Sequence, residues 1–356
     1  MNQKTQRLCG HLSADSAALI AAPHHLRYLT GFPSGDSWLL LTGDMAYFLT
    51  DFRYIEMALS KLSDIECLQV SSLTATLGEL SERHGIQRVY LEASHTTAAQ
   101  LARFQQAMPS VEFDVSNTLD SWLCAQRAVK DEEEVRNILQ AQELCEQGFS
   151  HILSYIREGK TEREIALELE FYIRKKGAER TAFDFIVVSG ANTSLPHGIP
   201  TEKPVGRGDF ITMDFGAVVD GYCSDMTRTV VLGPVDEEQS KVYHTVLQAQ
   251  QAALASLHAG VSCRGADAAA RSIIDAAGYG AYFGHAAGHG VGVEIHEQPT
   301  LSPRAGEQAL AAGNVVTVEP GIYLPGRFGV RIEDMALITE DGYQNLTKAP
   351  KELICL

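Results

Sequence analysis

Through residues 1–122, short apolar runs alternate with stretches whose apolar residues recur at helical spacing. The runs at 17–22, 38–41, 46–50, 66–70, 88–91 and 111–115 have strand length, and 52–61, 73–84 and 97–107 read as helices. Such alternation predicts an α/β domain. Near Ser121 the pattern changes. Asp131 and Glu134 stand at capping-box spacing, and Val135, Ile138, Leu139, Ile152, Leu153 and Ile156 behind them fall on one helical stripe. Thr161 and Glu164 repeat the capping box ahead of Ile165, Leu169, Tyr172 and Ile173, and Gly177 is placed to end that helix. Two more helices are predicted at 238–258 and 265–277, with strands at 183–188, 210–219, 222–232, 291–296, 314–318 and 329–339. Paired helices with an antiparallel sheet make the second region, residues 123–356, an α+β domain.

Composition narrows the class. The 356 residues suffice for two domains, and 45% hydrophobic with 21% charged residues is ordinary globular content. The net charge of −16 reads as a solvated acidic surface plus some buried acids. No Lys/Arg run stands out, which argues against a nucleic-acid partner. No apolar run approaches the ~18 residues of a membrane span. The polar start, MNQKTQRLCG, has no signal-peptide core. Cysteines 9, 67, 124, 145, 223, 263 and 355 are odd in number and contain no CxxC, as expected of reduced thiols in a cytoplasmic protein. On the same grounds the sequon Asn192-Thr193-Ser194 is discounted as a glycosylation site. Asp214-Phe215-Gly216 lacks the partner motifs of a kinase, Gly159-Lys160-Thr161 lacks the first glycine of a P-loop, and no HExxH is present.

The chemistry concentrates in three segments. In DFITMDFGAVVDGYCSDMTRT, residues 209–229, Asp220-Gly221 is a two-residue hairpin turn. That turn sets residue 214 opposite 227, so Asp225, two residues before 227, shares a face with Asp214. Two carboxylates so placed repel unless a cation lies between them or the face is open to water. FGHAAGHGVGVEIHE, residues 283–297, holds His285, His289 and His296 among glycines that permit close backbone approach to a ligand. A lone histidine is more often structural; three so close together favour function. In VTVEPGIY and GVRIEDMA, Glu319 and Glu333 follow alternating apolar residues, so each acid is expected in a core strand, either metal-bound or ion-paired with Arg331. Carboxylates with one imidazole suit Mn²⁺, Co²⁺, Fe²⁺ or Zn²⁺ better than a thiolate-loving ion.

The ordered set Asp214, Asp225, His289, Glu319 and Glu333 resembles the five-ligand site of the pita-bread metallopeptidases (prolidase, aminopeptidase P and methionine aminopeptidase), and Tyr28-Leu29-Thr30-Gly31-Phe32 resembles the creatinase/prolidase N-terminal domain. The resemblance covers essentially the whole chain. It implies a pita-bread catalytic domain at 123–356 behind a creatinase/prolidase-like domain at 1–122. It implies two divalent ions, Mn²⁺ or Co²⁺ first and Zn²⁺ or Fe²⁺ next, with Asp214 bidentate and Asp225 and Glu333 bridging. Glu319 resembles both a ligand and the acceptor of a proton from the attacking water. His197 and His296 resemble the family's substrate-facing histidines, His285 the histidine lining the proline pocket, and Arg331 the arginine paired with the site carboxylates. The implied substrates are peptides with proline at the second position, and the implied assembly is a homodimer whose first domain helps close the partner's site. The turn-rich segment ending in Trp38 is read either as part of that contact or as the first residue of a buried strand, with family precedent favouring contact.

Within the resemblance, methionine aminopeptidases usually lack the first domain, and creatinase has no metal site. Prolidase and aminopeptidase P remain. Arg304 is the one nearby candidate for gripping a dipeptide carboxylate and does not clearly align, which leans the reading towards an aminopeptidase that also takes dipeptides. The reading from another class is a catalytically silent binding protein, in which ligands would be missing; here all five are present.

Overall fold

The computed structural model describes residues 1–356, which divide into two compact units, Met1–Arg127 and Ala128–Leu356. The first unit carries strands β1 (Ser16–Ile20), β2 (Trp38–Leu41), β3 (Ala46–Thr50), β4 (Glu66–Gln69), β5 (Arg88–Leu91) and β6 (Glu112–Asp114) in one sheet of order β4-β3-β2-β1-β5-β6. All its pairs are parallel except those made by β2, which runs antiparallel to both β1 and β3. Every residue of β1 is buried, as expected of a central strand covered on both faces. Helices α1 (Gln3–Cys9), α2 (Pro23–Thr30), α3 (Ile55–Lys61), α4 (Leu73–His84), α5 (Ala98–Ala107) and α6 (Thr118–Ala128) complete the unit. The predicted α/β class holds, but α1, α2 and α6 were not foreseen, because each is short or weakly periodic.

The Tyr28–Phe32 segment is the end of α2. Gly31, at φ 71°, supplies the left-handed residue that stops the helix, and Phe32 is fully buried. Trp38 opens β2, half-buried, and packs edge-to-face on Phe104 of α5 with ring centroids 5.8 Å apart. Trp38 is thus the first residue of a strand, with its ring engaged within its own unit.

The second unit begins with α7 (Glu132–Tyr155) and α8 (Glu162–Lys175), both opened by the expected capping boxes. Short strands β7 (Arg180–Thr181) and β8 (Ile186–Ser189) lead to a long hairpin formed by β9 (Phe210–Phe215), β10 (Ala217–Val219), β11 (Tyr222–Cys223) and β12 (Met226–Val231). Helices α9 (Glu237–Ala255) and α10 (Cys263–Ala276) follow. Then come β13 (Gly288–Gly290), β14 (Glu297–Leu301), β15 (Val315–Val318), β16 (Gly321–Leu324), β17 (Phe328–Arg331), β18 (Asp334–Ile338) and β19 (Tyr343–Asn345). The strand pairs of this unit are antiparallel. The pair α7 and α8 shares one apolar core with β9 and β12, and α9 and α10 share another with β15, β17 and β18. That is the predicted α+β arrangement. No helix is long and apolar enough to cross a membrane.

Two local expectations fail for identifiable reasons. Residues 291–296 are not a strand: the pairing of β13 with β14 shifts register at His289/Gly290, and the chain arches back so that the Glu297 carboxylate accepts from the Glu294 N–H at 3.1 Å. Buried Lys130, 3.1 Å from Glu297, holds that carboxylate in place. Glu319 and Glu333 do not lie within strands either. Glu319 follows the last residue of β15, and Glu333 falls in the break between β17 and β18, where a side chain is released from the alternation of the ladder.

Candidate metal centre

The hairpin of β9 to β12 supplies the two aspartates. Val219 pairs with Tyr222 and Asp214 with Thr227, so the register is the one that an Asp220-Gly221 turn dictates. Asp220 and Gly221 both have positive φ, 46° and 83°, as a type I′ turn requires. The ladder is interrupted at Gly216 and Ser224, whose backbones approach so closely that a Cβ on Gly216 would lie 2.0 Å from the Ser224 carbonyl oxygen. Asp225 sits in this interruption, buried, one residue before β12.

His289 comes from β13, threaded between β14 and β15. A Cβ on Gly288 would lie 1.9 Å from the Thr317 carbonyl oxygen, and one on Gly290 would lie 2.5 Å from that of Gln298. The flanking glycines therefore admit neighbouring strands rather than a ligand, which corrects the reason assigned to them from sequence. The His289 Nδ1 faces the Gly290 carbonyl at 3.0 Å and must donate to it, so Nε2 carries the lone pair. That lone pair points at Glu319 Oε1, 3.4 Å away, and Asp225 Oδ2, 3.6 Å away. Thr317 ties the pieces together, its hydroxyl accepting from the His289 N–H at 3.1 Å and donating to Glu319 at 3.4 Å. Glu333 receives a hydrogen bond from Thr227 Oγ1 at 2.7 Å, and its backbone N–H donates to the Thr227 carbonyl at 3.2 Å.

Donor atoms of Asp225, His289 and Glu333 lie within 4.8 Å of one another. Asp214 and Glu319 border the same cluster: the charges of both act on Asp225 and Glu333. Arg331 is the cation beside them, its Nη2 2.6 Å from Asp214 Oδ2. Four carboxylates against one guanidinium give 1 − 4 = −3 if all are ionised, in a site whose side chains are at most 17% exposed. Burial, then repulsion from Glu333, Asp214 and Glu319, pushes the Asp225 carboxyl well above its ordinary range. Burial followed by Glu319 and Asp214 does the same to Glu333, and burial raises Glu319. Burial also lowers His289, keeping its imidazole neutral. Oδ1 of Asp214 and Oδ1 of Asp225 are buried without a hydrogen-bond partner. Lone pairs turned towards one another, with orphaned buried oxygens, are unfavourable unless a cation collects them. The donor set of hard carboxylate oxygens plus one imidazole nitrogen fits divalent metal.

Hydrogen bonds from Arg331 and Tyr323 brace this cluster. Arg331 donates to Thr227 Oγ1 at 3.1 Å, to the Tyr323 hydroxyl at 2.9 Å and to the Pro196 carbonyl at 3.2 Å. Burial works against the Arg331 charge, but Tyr323, Asp214 and Glu319 outweigh it and hold the guanidinium well above its usual value. The Tyr323 hydroxyl, raised to about 12 by burial, also meets His285 Nε2 at 2.9 Å. His285 Nδ1 faces the Ala286 carbonyl at 2.8 Å, so both ring nitrogens are committed and Phe283 packs edge-on against the ring at 5.1 Å. His296 is exposed, with its ring 4.4 Å from that of His289, and burial of part of that ring lowers its pKa. His197 is exposed as well, near enough for its charge to act on His285 and His296. Arg304 lies exposed in the turn after β14.

Sequence reasoning missed Thr227, Thr317 and Tyr323, whose hydroxyls orient the charged groups. The register argument places Thr227 opposite Asp214, so its role was within reach. It also missed Arg228, which is fully buried, pairs with Asp334 at 2.8 Å and donates to the Ala349 carbonyl at 2.7 Å and to the Glu333 carbonyl. Nothing in the local pattern distinguishes such an arginine from a surface one.

A family model described as metallopeptidase family M24 matches residues 136–340, and one described as the creatinase/prolidase N-terminal domain matches residues 3–122. An Xaa-Pro dipeptidase of Pyrococcus horikoshii is 36% identical over 99% of both chains. Among solved structures, an Xaa-Pro dipeptidase from Bacillus anthracis superposes with a TM-score of 0.94 at 40% identity over 99% of each chain. An X-Pro aminopeptidase from Thermotoga maritima gives 0.92 at 37% identity, over 98% of this chain and 99% of that one.

Proposed function

The chain belongs to metallopeptidase family M24, with a creatinase/prolidase-type N-terminal domain and a pita-bread catalytic domain, and on that footing we propose that it hydrolyses the Xaa-Pro bond at the N-terminus of peptides and in dipeptides. The carrying observation is the buried carboxylate cluster with two orphaned aspartate oxygens. We assign Asp214, Asp225, His289, Glu319 and Glu333 to two divalent ions, Mn²⁺ or Co²⁺ before Zn²⁺ or Fe²⁺. When bound, such ions supply Lewis acidity to the scissile carbonyl and a nucleophile at neutral pH.

The protein groups do the rest. Glu319, whose Oε1 lies 3.4 Å from His289 Nε2 at the edge of the cluster, is suited to take a proton from the attacking water and to release it later. His296 and His197 stand exposed at the mouth, where an imidazole N–H can donate to the developing oxyanion or pass a proton to the leaving group. The leaving proline nitrogen needs that proton, because the Xaa-Pro amide has no N–H of its own. His285, with both nitrogens satisfied, offers an apolar ring surface suited to the proline ring. Arg331 fixes Asp214 and, through Tyr323, His285.

Relatives at this level of identity include both an Xaa-Pro dipeptidase and an X-Pro aminopeptidase, so strict dipeptidase activity is the competing reading. A panel of Xaa-Pro, Xaa-Pro-Yaa and Xaa-Ala substrates after Mn²⁺ or Co²⁺ loading separates the two. Turnover of both proline series supports the proposal, turnover of dipeptides alone supports the competitor, and equal turnover of Xaa-Ala rejects proline specificity. We further propose a homodimer, on the family resemblance alone, and a cytoplasmic location, on the seven cysteines that form no disulfide.

A further inference from the structure

We infer that Glu162 is a positioning residue for His197, acting through the loop 189–201; the inference rests on the proposed role of His197 at the mouth of the site. Glu162 is the first residue of α8 and is fully buried. A helix N-terminus favours a carboxylate, but a fully buried one also needs hydrogen-bond donors. The hydrogen bonds of Glu162 go elsewhere. Oε1 accepts from the Ser189 N–H at 2.7 Å, Ser189 Oγ at 3.0 Å and Asn192 Nδ2 at 3.0 Å. Oε2 accepts from the Thr201 N–H at 3.0 Å, Thr201 Oγ1 at 2.6 Å and Asn192 Nδ2 again at 3.2 Å. One oxygen thus holds the start of the loop, the other holds its end, and Asn192 bridges the two. The amide of the discarded sequon is a structural donor.

The opposite side of the loop is tied to the metal centre. The Gly329 N–H donates to Thr193 Oγ1 at 2.8 Å, and Arg331, the partner of Asp214, donates to the carbonyl of Pro196, the residue before His197. Gly198, the residue after His197, is buried so closely that a Cβ would lie 2.7 Å from Val188 Cγ1. His197 therefore projects from a short arch whose two feet rest on one carboxylate and whose crown rests on the site arginine. Charge-assisted bonds are the stronger kind, and five donor atoms converge on Glu162. Lys203, 2.9 Å from Ser189 Oγ, adds a cation at the same foot.

Glu162→Gln keeps size and shape but puts an NH₂ where one of the two feet needs an acceptor, so a backbone N–H at Ser189 or Thr201 loses its partner. A displacement of about 1 Å at a group aligned with the reacting atoms is expected to lower kcat by about 10- to 100-fold. The test is a cycle of wild type, Glu162→Gln, His197→Ala and the double variant, all loaded with Mn²⁺, with metal content and hydrogen exchange measured on each. The expected result is a kcat fall of that size in Glu162→Gln at unchanged metal content, little further fall when Glu162→Gln is added to His197→Ala, and faster amide exchange in 189–201 with β9 and β12 unaffected. An equal loss in both backgrounds, or unchanged exchange in 189–201, overturns the inference. Should the wild type turn over no Xaa-Pro peptide, the functional reading fails, and the exchange result alone decides whether Glu162 holds the loop. If Glu162→Gln does not fold, Thr201→Val, which removes only the Oγ1 donor, is read in the same cycle with a smaller, several-fold effect.

Discussion

Replacing Glu333 by Gln should stabilise the metal-free protein while abolishing metal-dependent activity. Glu333 is 1% exposed and stands in a cluster whose donor atoms lie within 4.8 Å of one another. Two unit charges at that distance repel by about 3 kcal/mol at an effective dielectric of 20. Gln keeps an acceptor for Thr227 but weakens a bond to a charged group, which offsets about 1 kcal/mol. The net gain is about 2 kcal/mol, or roughly 4–8 °C in the melting temperature of a unit this size. The pH dependence fixes the sign. A carboxyl whose folded pKa is raised leaves the native state with more bound protons than the unfolded state, so stability falls as pH rises above the ordinary carboxylate range. The advantage of Glu333→Gln should therefore grow from about pH 5 upward, while the buried histidines contribute equally to both proteins and cancel. Thermal unfolding in chelator, at several pH values, measures it. A variant less stable than wild type at pH 8, or an advantage that shrinks with rising pH, refutes the picture of an uncompensated acidic cluster. With Mn²⁺ added, wild type should gain stability and the variant should gain much less.

Other expectations are as specific. His197→Ala and His296→Ala should keep their metal by elemental analysis and lose about 100-fold in kcat, the scale of a lost oxyanion or proton-transfer group; loss of metal in both rejects the assignment. Gly288→Ala, whose Cβ would lie 1.9 Å from the Thr317 carbonyl oxygen, should cost about 3 kcal/mol or more and displace His289, seen as a lower denaturant midpoint with weakened metal binding. Trp38→Ala should destabilise the first unit by about 1–3 kcal/mol through the lost packing on Phe104, less than the ~3–5 kcal/mol of a fully buried Trp because the ring is half-buried, and unchanged unfolding with a raised KM would favour the partner-contact reading. Because Asp225, Glu319 and Glu333 all hold protons more tightly than ordinary carboxylates, metal affinity should fall as pH falls, with more protons released per ion at pH 6 than at pH 8 by calorimetry in buffers of different ionisation enthalpy.

The hairpin was legible because turn chemistry and a period of two fix register without tertiary information: Asp220-Gly221 suffices to set Asp214 opposite Thr227. Capping boxes at Asp131 and Thr161 likewise marked helix starts that the structure reproduces. The arch at 291–296 was not legible. Its β-branched, apolar residues read as a strand, while the register shift at His289/Gly290 leaves no mark in the residue pattern and the Lys130–Glu297 pair joins residues far apart in sequence. Arg228 and Glu162 were missed for the same reason, since what makes a charged residue a buried hub is the set of distant donors and acceptors around it.

The most direct test of a proline-specific metallopeptidase is to strip the protein with chelator, reload it with Mn²⁺ or Co²⁺, and follow Xaa-Pro and Xaa-Ala hydrolysis against bound metal by elemental analysis. The expected result is no turnover without metal, recovery on reloading towards about two ions per chain, and hydrolysis confined to the proline series. A fully loaded protein that leaves both Xaa-Pro and Xaa-Pro-Yaa intact, or one whose turnover is indifferent to metal, contradicts it.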